Sequence, residues 1–430
     1  MSSSRYRKSM AHLIRAEETI PLGSQTFSKS RTQYPVGISP LYIDRAKGAS
    51  VWDVDGNEYI DLVNSLASVT LGYGDPDVDH AVRKQLEKGV SFSLPGILEA
   101  EVAELIVEMI PSAEMVRFGK NGSDATSAAI RLARAYTGRD HVAVCGYHGW
   151  QDWYIGSTAR NKGVPESVSA LTHKFIYNDV ESLKSILEAL PGKIAAIIME
   201  PMTSEWPAPD FLEAVRGIAS MAGAVLIFDE TLTGFRYAKG GAQELFSVTP
   251  DLSTFGKGMA NGFPISAVVG KREIMMEMEE IFFSATFGGE LLSLAAAKVV
   301  LQKHASENVC QELVSIGENL ASQVEKEVDL RGLSSVLSFS GHASWKFLHW
   351  TGSGKYDAAQ LRTFFMQEMF SRGVLILGTH NVSLADTNRP VDKIMEAYSG
   401  TLQAIAEAIE NGDLEARLHV KPLIPLFQVR

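Results

Sequence analysis

The sequence predicts an α/β protein with a mainly parallel sheet and a second, smaller domain. Between about residues 76 and 300, short β-branched apolar runs alternate with amphipathic stretches, which is the pattern of a sheet covered by helices. Ahead of it, Asp55-Gly56 separates two alternating apolar runs and predicts a hairpin. Beyond about 305, longer helical stretches mix with short strands. We therefore expect residues 1–65 and 306–430 to form the small domain and residues 66–305 the large one.

Local polarity patterns predict the individual elements in order. Residues 5–19 are amphipathic with a helical period and end before Pro21. The turn at Asp55-Gly56 lies within a hairpin over 50–63. Strands buried on both faces have continuous apolar runs, whereas the helices that cover them are amphipathic. The predicted strands are Val142–Cys145, Ile194–Met199, Ala224–Phe228 and Ser266–Val269, and the predicted helices lie at about 124–136, 180–190 and 208–222.

Composition excludes several classes of protein. With 45% apolar residues in a chain of 430, intrinsic disorder is not expected. No apolar run reaches the roughly 18 residues of a membrane span, and the N-terminus lacks an apolar signal core. Two cysteines exclude a disulfide scaffold and suit a reducing compartment, so we expect a cytoplasmic protein. A net charge of −11 argues against nucleic acid and anionic membranes as partners.

Two charged segments follow apolar stretches. Phe228-Asp229-Glu230 places carboxylates at a strand end, where open α/β sheets bind ligands, although Asp229 could equally begin a turn or cap a helix. Lys257 stands between two glycines, and burial or a nearby cation would lower its pKa and make its amine a nucleophile. An ordinary solvated lysine is the alternative. The surrounding glycines match neither a phosphate-binding P-loop nor a dinucleotide fingerprint.

Two more segments suggest a bound ligand. Asn121-Gly122-Ser123 opens a predicted helix, and the free N–H groups of a helix N-terminus bind phosphate well. Serine and aspartate also cap many helices that bind nothing. Tyr147 follows the strand Val142–Cys145, where its ring could stack on a flat ligand or pack in the core.

In order and spacing, these segments resemble the fold-type I pyridoxal-phosphate enzymes. Within that group the chain resembles the class III aminotransferases, in the branch of glutamate-1-semialdehyde aminomutase. The resemblance extends over nearly the whole chain. It rests on VWDVDGNEYID at 51–61, LGYG at 71–74, IRLARAYTGRD at 130–140, Tyr147-His-Gly, Glu200-Pro, DETLTGFR at 229–236 and Lys257.

The resemblance implies pyridoxal 5′-phosphate (PLP) as cofactor and assigns two catalytic residues. Lys257 matches the lysine that forms a Schiff base with the cofactor and carries the proton during transfer. Asp229 matches the carboxylate that binds the pyridine nitrogen and keeps it protonated. The remaining cofactor-binding residues that the resemblance implies are Asn121, Gly122 and Ser123 at the phosphate, Tyr147 and Thr231 on the ring faces, and His148, Glu200 and Thr286.

Thr286 matches a threonine that reaches the phosphate of the neighbouring subunit, so the resemblance implies a homodimer with shared active sites. Thr231 departs from the family pattern, because relatives often carry an apolar β-branched residue there. The direct role of Glu200 stays open.

The substrate segment also departs from the family. Lys29 stands where the aminomutase branch carries an arginine for the substrate carboxylate, and a lysine lacks the bidentate geometry. With Gln25, Thr26, Ser28 and Trp150, it would offer hydrogen bonds and an aromatic face to a polyhydroxy ligand. Packing at the domain edge is the alternative for the aromatic residues.

Four segments resemble a sub-branch found with surface-sugar biosynthesis: GSQTFSKS at 23–30, RFGKNG at 117–122, GYHGWQDWY at 146–154 and GAQELF at 241–246. This implies amino transfer from glutamate, with release of 2-oxoglutarate, to a carbohydrate aldehyde or ketone in lipopolysaccharide biosynthesis. An aminomutase or another class III amino-acid transaminase is the first alternative. A PLP-binding regulator without catalysis is the second, although the sequence contains no visible DNA-binding module.

Overall fold

The computed structural model describes residues 5–424, which divide into two compact units. The first unit consists of two segments of the chain, one that ends at Asp75 and one that begins at Glu312. The second unit spans Pro76–Gln311. These boundaries lie ten and six residues beyond the predicted ones at 65 and 305. The outer limits of the predicted small domain, at residues 1 and 430, lie outside the described residues.

The first unit begins with a helix, a hairpin and one left-handed turn: α1 (Arg7–Glu17), β1 (Ile43–Lys47), β2 (Ser50–Asp53), β3 (Glu58–Asp61) and α2 (Asn64–Ala67). The second unit alternates strands and helices: α3 (Pro76–Leu86), α4 (Ile97–Met109), β4 (Met115–Gly119), α5 (Gly122–Thr137), β5 (His141–Cys145), α6 (Asp152–Ile155), α7 (Glu166–Ser169), β6 (Thr172–Lys174), α8 (Val180–Ala189), β7 (Ile194–Met199), α9 (Phe211–Ala222), β8 (Val225–Asp229), α10 (Ala242–Leu245), β9 (Leu252–Phe255), β10 (Ser266–Gly270), α11 (Arg272–Met275) and α12 (Leu291–Ser306). The remaining elements are α13 (Val309–Leu330), β11 (Leu337–His342), β12 (Trp345–Trp350), α14 (Ala358–Ser371), β13 (Val374–Leu375), β14 (Thr379–Asn381), α15 (Asn388–Asn411) and α16 (Leu414–Arg417).

The sheet of the second unit confirms the predicted mainly parallel architecture. In the described residues its strand order is β4-β10-β9-β8-β7-β5-β6, and β10 alone runs antiparallel to its neighbours. Successive residues of a strand enter different cores: Ile197 and Leu226 pack with α9, whereas Ile198 and Ile227 pack with α5. Helices therefore cover both faces, which is why these strands are apolar throughout.

The first unit contains two smaller sheets, ordered β1-β2-β3-β13 and β11-β12-β14 among the described residues. The predicted hairpin is confirmed, since Val51 pairs with Tyr59 in an antiparallel register and Gly56 takes a φ of 93° in the turn. Strand β13 then pairs in parallel with β3, with Val374 opposite Ile60. The two chain ends are thereby joined in one sheet.

Helix ends differ from the predictions by a few residues. The helix predicted from about 208 begins at Phe211, because Asp210 before it takes a left-handed φ of 61°. Helix α5 begins at Gly122, a residue or two before its predicted start, and ends at Gly138, whose φ of 66° terminates it. Among residues 5–424, no helix combines the length and the apolar character needed to cross a membrane.

Candidate active site

The candidate residues of the second unit gather at one edge of its sheet. Strands β4, β5, β7, β8 and β9 all point the same way, because β4 and β9 are both antiparallel to β10. Asn121-Gly122-Ser123, Tyr147-His148, Glu200, Asp229 and Lys257 follow or end these five strands. Ligands of open α/β sheets bind at this carboxyl edge.

Asp229 is a buried carboxylate with three hydrogen-bond donors around it. His148 Nδ1 lies 2.9 Å from its Oδ2, while Thr254 Oγ1 and the Thr231 N–H donate to its Oδ1 over 3.0 and 3.1 Å. Burial raises the pKa of Asp229, but the hydrogen bonds from His148 and Thr231 outweigh burial and leave the pKa below its ordinary value. Asp229 therefore carries its negative charge throughout the neutral range.

His148 is buried behind Asp229, at 1% exposure. Its Nε2 lies 3.1 Å from the carbonyl oxygen of Cys145, so both ring nitrogens face acceptors. Thr126 Oγ1 donates to the His148 carbonyl over 2.8 Å, and the Trp153 indole stacks beside the imidazole. These contacts fix the ring in the position from which it holds Asp229.

Glu230, the next residue, is a carboxylate with a different environment. It accepts hydrogen bonds from the Thr233 hydroxyl, from the Ala242 N–H over 2.7 Å and from the Gln243 N–H over 2.9 Å. Burial raises its pKa despite these donors. Glu230 ties the first turn of α10 to the end of β8, whereas Asp229 is held by the site residues.

The N-terminus of α5, at Asn121, Gly122 and Ser123, has the features of an anion site, and we call it the phosphate-type site. Asn121 caps the helix, since its Oδ1 accepts the Asp124 N–H over 3.2 Å, and Asp124 in turn accepts the Asn121 N–H. In the part of the chain that the structure describes, the N–H groups of Gly122 and Ser123 make no hydrogen bond. Two donors at the positive end of a 16-residue helix are thus available to a phosphate.

The loop after β5 packs closely against this N-terminus. Ser123 Oγ accepts the Trp150 N–H over 3.2 Å, and a Cβ on Gly149 would lie 2.2 Å from the same oxygen. Gly149 also has a φ of 103°, which other residues rarely adopt. Glycine is therefore required at this position on two independent grounds.

Thr231 lies between the helix N-terminus and the lysine loop. A Cβ on Gly122 would lie 3.0 Å from Thr231 Cγ2, and one on Gly256 would lie 3.4 Å from it. Lys257, at the start of a 3-10 turn, is half-buried and takes a left-handed φ of 41°. The structure thus brings the phosphate-type site, Thr231 and the lysine loop together.

Tyr147 and Glu200 connect the loops after β5 and β7. Glu200 is buried, and its Oε2 accepts the Tyr147 N–H over 2.9 Å. The Tyr147 ring is half-buried and meets Tyr154 edge to face, with 5.7 Å between centroids. Glu200 therefore contacts the backbone that carries Tyr147.

The remaining candidates lie in exposed segments. Thr286 is exposed before α12, and the Trp150 side chain is 63% exposed. The first unit carries the predicted substrate residues, Gln25, Thr26, Ser28 and Lys29, all of them exposed.

Sequence reasoning did not identify Thr254 or Thr126. Thr254 lies opposite Asp229 in the β8–β9 register and donates to it, and Thr126 lies one helical turn into α5. Strand register is a tertiary property, so only the proximity of Thr254 to Lys257 in the sequence could have drawn attention to it.

Comparison with known proteins identifies the family. Residues 33–386 match the family described as aminotransferase class-III. The 3-aminobutyryl-CoA aminotransferase of Cloacimonas acidaminovorans is 35% identical over 410 residues, covering 94% of this chain and 96% of the relative. The glutamate-1-semialdehyde 2,1-aminomutase of Cytophaga hutchinsonii is 37% identical over 422 residues, covering 91% and 97%.

Solved structures give the same result. The FumI protein of Sphingopyxis sp. MTA144, in its PLP internal aldimine form, superposes with a TM-score of 0.88 at 28% identity, covering 97% of this chain and 99% of that one. An omega-transaminase from Sphaerobacter thermophilus gives 0.84 at 28% identity, covering 93% and 99%. The predicted PLP-dependent fold-type I architecture is thereby confirmed.

The residues at the sheet edge fit PLP. The cofactor carries a phosphate and a pyridine nitrogen, and the edge offers two unengaged N–H groups at Gly122 and Ser123 and an ionised carboxylate at Asp229. Lys257 follows β9, which lies between β4 and β8 in the sheet, so the lysine loop lies between these two groups. The chain belongs to the class III aminotransferase family, and like its members it is a PLP-dependent aminotransferase.

Proposed function

We propose that this enzyme transfers an amino group from glutamate to a carbohydrate aldehyde or ketone. The proposed acceptor is the C8 aldehyde of an oxidised 3-deoxy-octulosonate, as for 8-amino-3,8-dideoxy-manno-octulosonate transaminase in lipopolysaccharide sugar biosynthesis. The observation that carries the proposal is the 63% exposed Trp150 indole, whose backbone N–H is held by Ser123. An aromatic face beside Gln151 and Asp152 suits a ligand with many hydroxyl groups.

Lys257 is the proposed proton carrier. Its Nζ would bond covalently to the cofactor in the resting enzyme. Once released, its amine would take the proton from the α-carbon of the donor and carry that proton during the transfer. Bound PLP supplies an electron-withdrawing ring that accepts the electron pair left at that carbon.

Asp229 is the proposed partner of the pyridine nitrogen. Its ionised carboxylate would hold a proton on that nitrogen, and His148 and Thr254 keep the carboxylate charged and oriented. We assign the phosphate to Asn121, Gly122 and Ser123, with the first acting through the helix cap that it forms.

Tyr147 and Thr231 are the proposed neighbours of the two ring faces. The contact of Glu200 with the Tyr147 N–H supports a positioning role for this carboxylate. His148 supports the site from behind Asp229.

We further propose a homodimer with shared active sites, in which Thr286 binds the phosphate of the partner subunit. The second unit exposes large apolar side chains in two stretches. Near Thr286, Phe282 is 81% and Phe287 59% exposed, and around the start of α4, Leu94 is 79% and Ile97 80% exposed. The Leu291 N–H donates to the Val90 carbonyl, which links the two stretches that carry them. A second copy of the chain would cover this apolar surface.

The decisive experiment is a screen of the second half-reaction. The protein is loaded with pyridoxamine phosphate, candidate sugar aldehydes and keto acids are added singly, and the return of the absorbance of bound PLP is followed. We expect the octulosonate aldehyde to react fastest. Faster reaction with 3-oxo acyl-CoA or simple keto acids would contradict the sugar proposal.

Aminomutase activity is the second candidate, favoured by the 37% identity to the Cytophaga hutchinsonii aminomutase. Lys29 in place of an arginine speaks against it, because a lysine holds a carboxylate through a single point charge. Incubation of the loaded protein with glutamate-1-semialdehyde separates the two. Efficient release of 5-aminolevulinate would establish the mutase.

The cytoplasm remains the proposed compartment. Cys145 and Cys310 are both buried, unpaired thiols, and burial raises the pKa of each to about 12. Neutral thiols of this kind are compatible with a reducing environment.

A further inference from the structure

Lys120 connects three loops of the second unit through one ammonium group. It follows β4 directly, and its backbone leads into the phosphate-type site. Its Nζ lies 3.0 Å from Glu290 Oε2 and donates to the Pro264 carbonyl over 3.2 Å. Pro264 lies between Lys257 and β10, and Glu290 ends the segment that carries Thr286. The loop after β4, the segment before β10 and the segment before α12 are thus joined at one point.

The Lys120–Glu290 ion pair is largely shielded from water, since the two side chains are 21% and 14% exposed. Glu290 also caps α12, because its Oε1 accepts the Leu292 N–H over 2.7 Å and its Oε2 accepts the Ser293 hydroxyl over 2.6 Å. Burial raises the pKa of Glu290, but the hydrogen bonds from Ser293 and Lys120 outweigh burial and leave the pKa below its ordinary value. The pair therefore stays charged on both sides at neutral pH.

The segment before α12 is anchored by cations at both of its ends. Arg131 Nη1 donates to the Phe282 carbonyl over 2.8 Å at the start of the segment, and Lys120 binds Glu290 at its end. Residues 284–287 between these anchors are all exposed, the threonine that is predicted to bind phosphate among them. The position of that threonine therefore depends on the two anchors.

We propose that Lys120 is a positioning residue that acts through Glu290 to fix the segment of Thr286 for the phosphate of the cofactor in the partner subunit. The inference rests on the proposed function for the role of Thr286, and it does not depend on the sugar acceptor. An exposed segment loses conformational entropy when it closes on a ligand, and an anchor at its end reduces that loss. The Lys120 N–H also donates to Asp124 Oδ2 over 2.9 Å, within the cap of α5. One residue thus contacts both segments that are assigned to phosphate.

The test is titration of the apoenzyme with PLP, and with pyridoxal, which lacks the phosphate, as the comparison ligand. We expect Lys120→Met to weaken PLP binding about fivefold and to leave pyridoxal binding unchanged. Glu290→Gln, which keeps acceptors for the α12 cap, should have the same effect. Lys120→Arg keeps the cation and should stay within about twofold of the wild type. Lys271→Met is the control, because Lys271 pairs with Asp251 over 2.7 Å at the opposite edge of the sheet.

A double-mutant cycle with Thr286→Ala separates positioning from a direct effect on the phosphate-type site. If Lys120 acts through the segment, Lys120→Met combined with Thr286→Ala binds PLP no more weakly than Thr286→Ala alone. Additive losses, equal weakening of PLP and pyridoxal, equal losses in Lys120→Met and Lys120→Arg, or no loss in Lys120→Met would each overturn the inference. Normal PLP affinity in Thr286→Ala would instead remove the proposed role of Thr286, and the inference with it, so the two failures are distinguishable.

Discussion

Asp229 and Glu230, two adjacent carboxylates at the end of β8, have different environments and therefore different roles. Asp229 accepts from three side-chain or backbone donors and has a lowered pKa, whereas the pKa of Glu230 is raised by burial. In the sequence both are acidic residues after an apolar strand. Their hydrogen-bond partners differ, and those of Asp229, which include His148 from another loop and Thr254 from the neighbouring strand, keep it charged at the site.

Lys257→Ala tests the proposed proton carrier. We expect a protein that still binds PLP through the phosphate and Asp229 contacts but loses at least about a thousandfold in multiple turnover, since covalent attachment and proton transfer disappear together. Turnover with glutamate and PLP absorbance are measured on the same sample. Sustained turnover by the variant would remove Lys257 from the mechanism.

His148→Leu tests what keeps Asp229 ionised. Without this donor, burial raises the pKa of Asp229, so its charge is lost as the pH falls and the acid limb of kcat/KM moves to higher pH. We expect a loss of about tenfold to a hundredfold at pH 6, the worth of one charge-assisted hydrogen bond.

His141→Leu serves as the control, because His141 pairs with His173 away from the site. His148→Asn, which keeps a donor, should recover part of the activity at low pH. An unmoved acid limb in His148→Leu would show that Thr254 and Thr231 suffice to hold the charge.

Helix α5 was predicted from its pattern, but its role depends on what packs against its first turn. The loop after β5 approaches so closely that Gly149 has no room for a side chain. At the other end of α5, Gly138 also has a positive φ, but a Cβ there would meet nothing within 4 Å. Glycine is thus required for close packing beside the first turn of α5, at Gly149, and only for its backbone conformation after the last turn, at Gly138.

Gly149→Ala should therefore weaken PLP binding by about tenfold or more, because the methyl group displaces Ser123 from the phosphate-type site. Gly138→Ala, the matched control, should cost about 1 kcal/mol of stability through its φ and leave PLP affinity unchanged. Affinity is measured by titrating apoenzyme with PLP, and stability by urea unfolding. Equal PLP affinities in the two variants would contradict this account of the phosphate-type site.

Stability of the whole chain should vary with pH through Asp386 in the first unit. Asp386 is fully buried and accepts from the Ser383 N–H and hydroxyl, and burial, with the nearby Asp61 charge, raises its pKa to about 7. A raised carboxyl pKa means that the folded state binds the proton more tightly than the unfolded state. The contribution to stability is therefore full below about pH 4 and is lost as the pH rises to about 7.

Asp386→Asn should remove this dependence. Between pH 5 and 8 the wild type should lose on the order of 2–4 kcal/mol in free energy of unfolding relative to the variant. Urea unfolding followed across that range measures the difference. Parallel curves for the two proteins would show that Asp386 stays ionised in the fold.

The proposed dimer makes a second prediction for the assembled molecule. Lys257→Ala and Thr286→Ala chains are each expected to be inactive or strongly impaired. If active sites are shared, a mixed dimer has one intact site, and random mixing should restore about a quarter of wild-type activity. No recovery after unfolding and refolding the mixture together would contradict shared sites.

Much of the α/β architecture follows from local signals in the sequence. The apolar runs at Ile194–Met199 and Ser266–Val269 and the hairpin at Asp55-Gly56 depend on residues close together in the chain, and the structure confirms them. Strand order, register and burial bring together residues that are far apart in the chain. The Thr254–Asp229 bond, the placing of His148 behind Asp229 and the left-handed turn at Asn64 depend on such contacts, which no local pattern contains.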